Sequence, residues 1–244
     1  MSESDLRQHL LSGTPVLLPE IEAGEPAANH NLRTVAASWL VEQVIRPSRT
    51  VDQPVVIHNA VIDGDLPLAY VDFRADLCLI NCTLTGRADL SFTKFATSAE
   101  FHNCVTGHVR RRRKLDQIRV TGTAYFQGAQ FHGSVRFDLA RTDGGLDFGG
   151  EEYKPVSLSA PKTVFHKEAR FIGATVQAYI SLISVEFKDL AWFDGMTVNG
   201  DAQFEAVQFK PSAARSGRIH LFLWRSYCRP DYIQSRVFWN LCAL

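Results

Sequence analysis

An eleven-residue repeat constrains this chain more than any other feature of its sequence. Residues 169–212 divide into four lines, ARFIGATVQAY, ISLISVEFKDL, AWFDGMTVNGD and AQFEAVQFKPS. Positions 1, 3, 6 and 8 of each line are small or apolar. The third positions are Phe171, Leu182, Phe193 and Phe204, and the eighth positions are Val176, Phe187, Val198 and Phe209. Because an internal repeat decides the architecture, it is interpreted before any single motif.

The same register extends towards the N terminus and covers residues 55–212. Fourteen lines fit, with three extra residues before the line at Arg113 and one before the line at Leu158. Their third positions are Ile57, Leu68, Leu79, Leu90, Phe101, Leu115, Phe126, Phe137, Phe148, Ala160, Phe171, Leu182, Phe193 and Phe204. Apolar residues two apart share one face of an extended segment, whereas a helix needs steps of three and four. We therefore predict a solenoid of very short strands around a continuous apolar interior.

Five-residue units within these lines resemble the pentapeptide-repeat family. The segments ADLSF at 88–92, AQFHG at 129–133 and ARFIG at 169–173 carry a small residue, a polar residue and a central Leu or Phe. The resemblance implies a right-handed, four-sided β-helix in which the small residue and the Leu or Phe point inward. Steps of five and six alternate here instead of a steady five, so one coil takes 22 residues. About seven coils would give a rod roughly 34 Å long.

A coil of 22 residues predicts which side chains lie on top of one another. Three such pairs are expected to touch: Phe171 with Phe193, Phe73 with Phe95, and Cys82 with Cys104. Each fully buried apolar side chain contributes about 1.5–3 kcal/mol. Stacked phenylalanines would thus hold together coils whose strands are too short to be stable alone.

The N-terminal segment, residues 1–54, is predicted to be a linker and a cap for the first coil. A short helix is expected near residues 2–11, before the Pro-containing linker. A second helix is expected from Thr34, as its cap, to Pro47, with an apolar face of Ala37, Leu40, Val41, Val44 and Ile45. Because a first coil exposes an open core and a strand edge, this helix is interpreted as a lid. A partner-binding helix is the alternative.

The C-terminal segment, residues 213–244, is predicted to be a helical cap or an association tail. Asp231 and Gln234 resemble a capping box at the start of a last helix. The candidate association residues are Phe222, Trp224, Tyr232, Phe238 and Trp239. Large exposed apolar patches mark interfaces. In the gyrase-inhibiting members of the resembled family, a C-terminal helical module joins two rods, so the resemblance implies that an association tail here would join two copies into a homodimer.

A run of five bases marks the three-residue insertion. These candidate anion- or partner-binding residues are Arg110, Arg111, Arg112, Arg113 and Lys114. Such a run is typical of loops that bind phosphate, nucleic acid or an acidic partner, and also of solvated loops that protect strand edges. Arg113 falls on a nominally inward position, so the chain is expected to bulge there.

Charge and cysteine content limit the compartment and the kinds of partner. The chain has 26 basic and 26 acidic residues, so no global field steers it to nucleic acid or membrane. Five scattered cysteines make no disulfide framework and favour a reduced, cytoplasmic setting. The N terminus lacks the features of a signal peptide, and no apolar run approaches the ~20 residues of a membrane span.

No motif indicates catalysis, a metal or a cofactor. The sequence lacks HExxH and CxxC spacing and gathers no nucleophile with a base. Asp147, Glu151 and Glu152, near the second insertion, are a candidate carboxylate pair, although an exposed acidic turn is the interpretation we favour.

The predicted function is a non-catalytic scaffold that presents a rigid β-helical surface to a protein partner. One alternative is binding of nucleic acid or an anionic surface through the basic run. Another is a DNA mimic acting on a type II topoisomerase, as in some members of the resembled family. That role needs a strongly acidic rod, whereas residues 55–212 hold 18 acids and 17 bases.

Overall fold

The computed structural model describes residues 3–19, 34–42, 50–106, 113–149 and 162–210. Within them lie two helices, α1 at Glu3–Ser12 and α2 at Ala37–Leu40. The strands of this part of the chain are β1 Val16–Leu17, β2 Thr34–Ala36, β3 Thr50–Val51, β4 Val55–His58, β5 Val61–Asp63, β6 Leu66–Pro67, β7 Asp72–Phe73, β8 Leu77–Ile80, β9 Thr83–Leu84, β10 Ala88–Asp89, β11 Lys94–Phe95, β12 Ala99–His102, β13 Val105–Thr106, β14 Arg113–Lys114, β15 Arg119–Val120, β16 Ala124–Tyr125, β17 Gln130–Phe131, β18 Val135–Arg136, β19 Arg141–Thr142, β20 Leu146–Asp147, β21 Val164–Phe165, β22 Ala169–Arg170, β23 Thr175–Val176, β24 Tyr179–Ser181, β25 Glu186–Phe187, β26 Ala191–Trp192, β27 Thr197–Val198, β28 Asp201–Gln203 and β29 Gln208–Phe209.

These strands form four parallel sheets that run along the molecule. The first sheet holds β1, β4, β8, β12, β16, β20, β24 and β28, and the second holds β2, β5, β9, β13, β17, β21, β25 and β29. The third holds β6, β10, β14, β18, β22 and β26, and the fourth holds β3, β7, β11, β15, β19, β23 and β27. The chain visits the sheets in that order and then returns to the first. The predicted all-β solenoid is confirmed, with about six turns where about seven were expected.

The columns predicted from the 22-residue spacing are present. The rings of Phe171 and Phe193 stack with centroids 5.0 Å apart, and those of Phe73 and Phe95 with centroids 4.9 Å apart. Their neighbours pair in parallel, Ala169 opposite Ala191. Cys82 and Cys104 are both buried in the core, where the Cys104 thiol donates to the Leu79 carbonyl at 3.2 Å and the Cys82 thiol to the Ile57 carbonyl at 3.4 Å.

Phenylalanine ladders of three or more rings fill the core behind three of the sheets. Stacked pairs in these ladders are Phe101 with Phe126 and Phe126 with Phe148 behind the first sheet, Phe131 with Phe165, Phe165 with Phe187 and Phe187 with Phe209 behind the second, and Phe137 with Phe171 behind the third. Rings of different ladders also meet edge to face, as Phe148 does with Phe171 at 5.7 Å. Offset and edge-to-face contacts suit the ring quadrupole and add to the area buried. The ladders therefore tie successive turns and opposite walls together.

The second insertion is longer than the sequence suggested. Leu146 pairs with Ile180, 34 residues away, so this turn holds twelve residues more than 22. The turn that starts with Leu146 and Phe148 continues with the buried residues Thr163 and Phe165. The single extra residue expected here was wrong, since Leu146 would then pair with a residue 23 positions later instead of with Ile180. The three-residue insertion was placed correctly, because Ala99 pairs with Ala124.

The N-terminal residues cover the first turn largely with strands. β1 pairs with β4, β2 with β5 and β3 with β7, so three sheets gain a strand before the first complete turn. The helix predicted to start at Thr34 was wrong at that end, because Thr34 lies in β2 and Ala36 precedes α2 without a side-chain cap. Leu40 and Val41 are buried as expected of a lid, while Val44 and Ile45 lie outside the described residues. The first helix agrees with its prediction. Neither described helix is long and apolar enough to cross a membrane.

Thr142 offers a test of the core. Its side chain is 1% exposed and its hydroxyl has no hydrogen-bond partner, in a column continued by Val120 and Val176. We expect Thr142→Val to raise the free energy of unfolding by about 1 kcal/mol, because it removes an unsatisfied buried polar group. The matched control is Thr93→Val. Since the Thr93 hydroxyl donates to the Leu68 carbonyl at 2.6 Å, this control should not be stabilising. Urea denaturation measures both, and equal effects would contradict the assignment.

Candidate functional site: a polar cluster on the first sheet

Most of the residues predicted to bind partners lie outside the described residues. These are Arg110, Arg111 and Arg112 of the basic run, and Phe222, Trp224, Tyr232, Phe238 and Trp239 of the tail. Arg113 and Lys114 form β14, and Arg113 pairs with Val135 in the register of its column. The expected bulge does not interrupt that pairing. On its other side, β14 pairs with β10, and Lys114 lies opposite Asp89.

The candidate carboxylate Asp147 lies at the centre of a polar cluster on the first sheet. Its partners Glu151 and Glu152 lie outside the described residues. Asp147 is only 8% exposed. One carboxylate oxygen accepts a hydrogen bond from the Gly149 amide at 2.9 Å. The other accepts from Gln127 Nε2 at 3.1 Å and from the Tyr179 hydroxyl at 3.4 Å. Burial raises the pKa of Asp147, and these hydrogen bonds oppose that rise.

Tyrosine side chains border this carboxylate. Burial raises the pKa of Tyr179, and the neighbouring Asp147 and Tyr125 raise it further. A side chain at Gly145 would overlap the Tyr179 ring, so glycine is needed there for the ring to lie flat on the rod. The Tyr179 hydroxyl thus stays protonated at neutral pH and acts as a donor to Asp147.

The other end of the cluster consists of residues one to three turns earlier. His102 Nε2 lies 3.5 Å from Glu100 Oε2, and the His102 ring stacks on Tyr125 with centroids 5.7 Å apart. Burial, followed by the nearby Glu100 and Asp76 carboxylates, raises the pKa of the Cys78 thiol to about 12. Because the thiolate is the reactive form, Cys78 is a poor nucleophile at neutral pH.

The chemistry available to this cluster is hydrogen bonding. Both oxygens of Asp147 are engaged, Tyr179 donates its proton, and Cys78 stays protonated. Within the described ranges, no three His, Cys, Asp or Glu side chains group as a metal site would require. The sequence reasoning identified Asp147 but missed Glu100, Tyr125 and Tyr179. Counting outward positions along the paired columns would have placed Glu100, Tyr125 and Asp147 in one line.

The raised pKa of Asp147 predicts how stability depends on pH. As pH rises above 3.8, the ordinary value for aspartate, the unfolded state loses this proton before the folded state does. Protonation of Asp147 therefore adds its full contribution to the free energy of unfolding below that pH, and this contribution is lost as pH rises through the raised pKa. We expect the free energy of unfolding of the wild type, relative to Asp147→Asn, to fall over that window. Urea denaturation at a series of pH values measures this difference, and a rise with pH would contradict it.

A second charged arrangement covers the third sheet. Arg136 lies 3.4 Å from Asp116 and 2.9 Å from Asp138, and Arg170 from the next turn also reaches Asp138 at 3.1 Å. The Asp138 side chain is only 11% exposed. Arg87 and Asp89 form a similar half-buried pair at 2.7 Å. Asp89, Asp116 and Asp138 on the third sheet thus form ion pairs with arginines of the same chain.

Comparisons with known proteins do not place the chain in a family. No protein-family model, no curated protein and no solved structure matches it.

Proposed function

We propose that this protein is a non-catalytic scaffold that presents a rigid β-helical surface to a protein partner. The observation that carries this proposal is the continuous core, in which stacked side chains join every described turn to the next. Cavities of about 40 Å³ and 20 Å³ lie within it and are lined by core side chains. Outward side chains consequently form a fixed array that repeats about every 4.8 Å along the rod. Such a surface suits recognition of a partner over several turns.

We further propose that the repeat is of the pentapeptide type. Support comes from the first and third positions of the lines, where Ala169 and Phe171 are both fully buried. Each complete turn has four strands, one for each five- or six-residue step. The three described cysteines, Cys78, Cys82 and Cys104, are free thiols, which supports our proposal of a reducing, cytoplasmic compartment.

Co-purification tests the scaffold function. We expect the purified full chain to bring down a specific protein with a fixed stoichiometry, which mass spectrometry would identify. Truncation after Ser212, followed by measurement of the mass in solution, tests the proposed homodimer through the tail. A full chain that is monomeric and retains no protein partner would contradict both proposals.

A second candidate function is binding of nucleic acid or an anionic surface through the basic run. The position of the basic run favours this function. The run lies at the three-residue insertion, and the strands on either side, β13 and β14, keep their pairing with the following turn. Neutralising Arg110, Arg111 and Arg112 tests this function, with Arg113 kept because it belongs to β14. Binding through the run should weaken steeply with salt and be lost in this variant. The DNA-mimic alternative has no comparable support, because Asp89, Asp116 and Asp138 are engaged by arginines.

A further inference from the structure

Three exposed apolar side chains lie along the corner between the third and fourth sheets, with one glutamine among them. Tyr70, Phe92, Gln117 and Leu139 occupy this corner in successive turns, each donating its backbone N–H to a carbonyl of the next turn. Tyr70 is 60% exposed, Phe92 39% and Leu139 59%. The Tyr70 and Phe92 rings stack with centroids 4.7 Å apart and planes 4° apart. We call Tyr70, Phe92 and Leu139 the corner ridge.

The backbone conformation at the ridge is unfavourable for these residue types. Tyr70, Phe92 and Leu139 have φ values of 62°, 60° and 56°. This left-handed region suits glycine and asparagine, and bulky residues there are outliers. The chain uses both of these residue types at its left-handed corners. Gly173 and Gly195 occupy the same corner as the ridge in later turns. Asn59, Asn81 and Asn103 serve the left-handed corner between the first and second sheets. Neither core packing nor turn geometry explains exposed apolar residues at the ridge, so a binding role is the better account.

A line of basic side chains runs parallel to the ridge on the fourth sheet. Lys94 pairs with Arg119, and Arg119 with Arg141, in consecutive rungs, and all three side chains are exposed. The acidic neighbours are Asp72, next to Lys94 in the same column, and Asp143, which accepts a hydrogen bond from Arg141 at 3.0 Å. Lys94 and Arg141 follow the ridge residues Phe92 and Leu139 by two positions. We call Lys94, Arg119 and Arg141 the basic ladder.

We propose that the corner ridge and the basic ladder together bind an acidic amphipathic helix of a partner protein, laid along the rod axis. This inference rests on the proposed scaffold function and deepens it. Rungs repeat about every 4.8 Å, and a helix repeats about every 5.4 Å per turn. Tyr70, Phe92 and Leu139 occupy the first, second and fourth of four rungs, with Gln117 in the third, so the ridge spans about 14 Å. A helix of roughly three turns covers this span, with apolar residues against the ridge and acidic residues against the ladder.

Charge and ring geometry favour an acidic helix over the chain's own tail and over single-stranded nucleic acid as the ligand of this surface. The chain's own tail, residues 213–244, has five arginines and one aspartate, so it does not complement the basic ladder. Single-stranded nucleic acid binds by stacking bases on open aromatic faces. The Tyr70 and Phe92 rings instead turn faces towards each other. Their exposed edges present an apolar line of the kind that an amphipathic helix covers.

The test measures binding of a labelled synthetic helix by fluorescence anisotropy. The probe has about three heptads, with leucines along one stripe and glutamates along one flank, and its counterpart carries lysines instead of glutamates. The ridge variant is Phe92→Asn with Leu139→Asn, which relieves the unfavourable conformation and so should fold. The ladder variant is Lys94→Gln, Arg119→Gln and Arg141→Gln. The matched control is Lys167→Gln with Lys188→Gln, which removes two exposed bases elsewhere.

We expect the acidic helix to bind the wild type at least about tenfold more tightly than the basic one. The ridge variant should weaken its binding about tenfold or more, the ladder variant about three- to tenfold, and the control less than about twofold. Equal binding to the wild type and the ridge variant would overturn the proposal, as would failure of the acidic helix to bind. Ridge-dependent binding of an oligothymidylate would overturn it in favour of nucleic acid.

The outcome also separates this inference from the scaffold function. If a protein that co-purifies with the wild type is retained by the ridge variant, the scaffold function stands and the ridge assignment fails. If the acidic helix binds at the ridge but no protein co-purifies, the ridge assignment stands and the scaffold function fails.

Discussion

Phe171→Ala should lower the free energy of unfolding by about 4 kcal/mol, which is a large share of the stability of an ordinary domain. Phe171 is fully buried. Its ring stacks on Phe137 at 5.1 Å and on Phe193 at 5.0 Å, and meets Phe148 edge to face. Truncation therefore leaves a cavity between three turns, which the rigid walls cannot close. Urea denaturation followed by far-ultraviolet circular dichroism measures the loss.

The matched control for this substitution is Phe92→Asn at the exposed corner. Phe92 has a left-handed backbone with φ of 60°, and asparagine adopts that conformation more readily. We expect a change of less than about 0.5 kcal/mol. A loss below about 1 kcal/mol for Phe171→Ala would mean that the stacked column does not hold the turns together.

Gly86→Ala should cost about 3 kcal/mol, because the turns approach too closely at that corner for a side chain. A Cβ atom on Gly86 would overlap the carbonyl group of Gly64 and the amide of Asp65, all of them backbone atoms. Relief requires movement of one turn against the next, which the pairing of Leu66 with Ala88 resists. Thermal or urea denaturation measures the effect.

Gly195→Ala separates this steric effect from backbone conformation. Gly195 has φ of 65°, but the nearest atom to an added Cβ would be the Gly173 nitrogen at 3.8 Å. Only the conformational cost applies, about 1 kcal/mol. If Gly86→Ala proves no more destabilising than Gly195→Ala, the close contact between turns is absent.

The architecture was predictable because the core repeats in sequence. A residue such as Phe171 has a partner 22 positions later, so the columns could be counted without coordinates. The twelve-residue insertion was not predictable in this way, since Leu158 and Ala160 fit the pattern of small and apolar positions. Pattern alone does not tell whether such a segment is wound into the rod.

The N-terminal segment and the polar cluster needed information beyond the pattern. Thr34 fits a helix cap, yet the open edge of β5 offers hydrogen bonds that draw Thr34–Ala36 into a strand. The cluster around Asp147 depends on side chains from three turns, and on a tyrosine that lies over Gly145. The outward residues of this cluster follow no repeat, so their contacts were visible only once the register across both insertions was known.

Cysteine cross-linking across the longer insertion tests the central claim most directly. In a chain with Cys228 and Cys242 replaced by serine, Arg141→Cys is combined with Thr175→Cys, its partner in the parallel pairing. We predict that this pair forms a disulfide on mild oxidation, since adjacent paired strands bring the Cα atoms within about 4.4–6.8 Å. Arg141→Cys with Val164→Cys, the pair expected from an insertion of one residue, should remain reduced. A disulfide in the second pair and none in the first would contradict the winding described here.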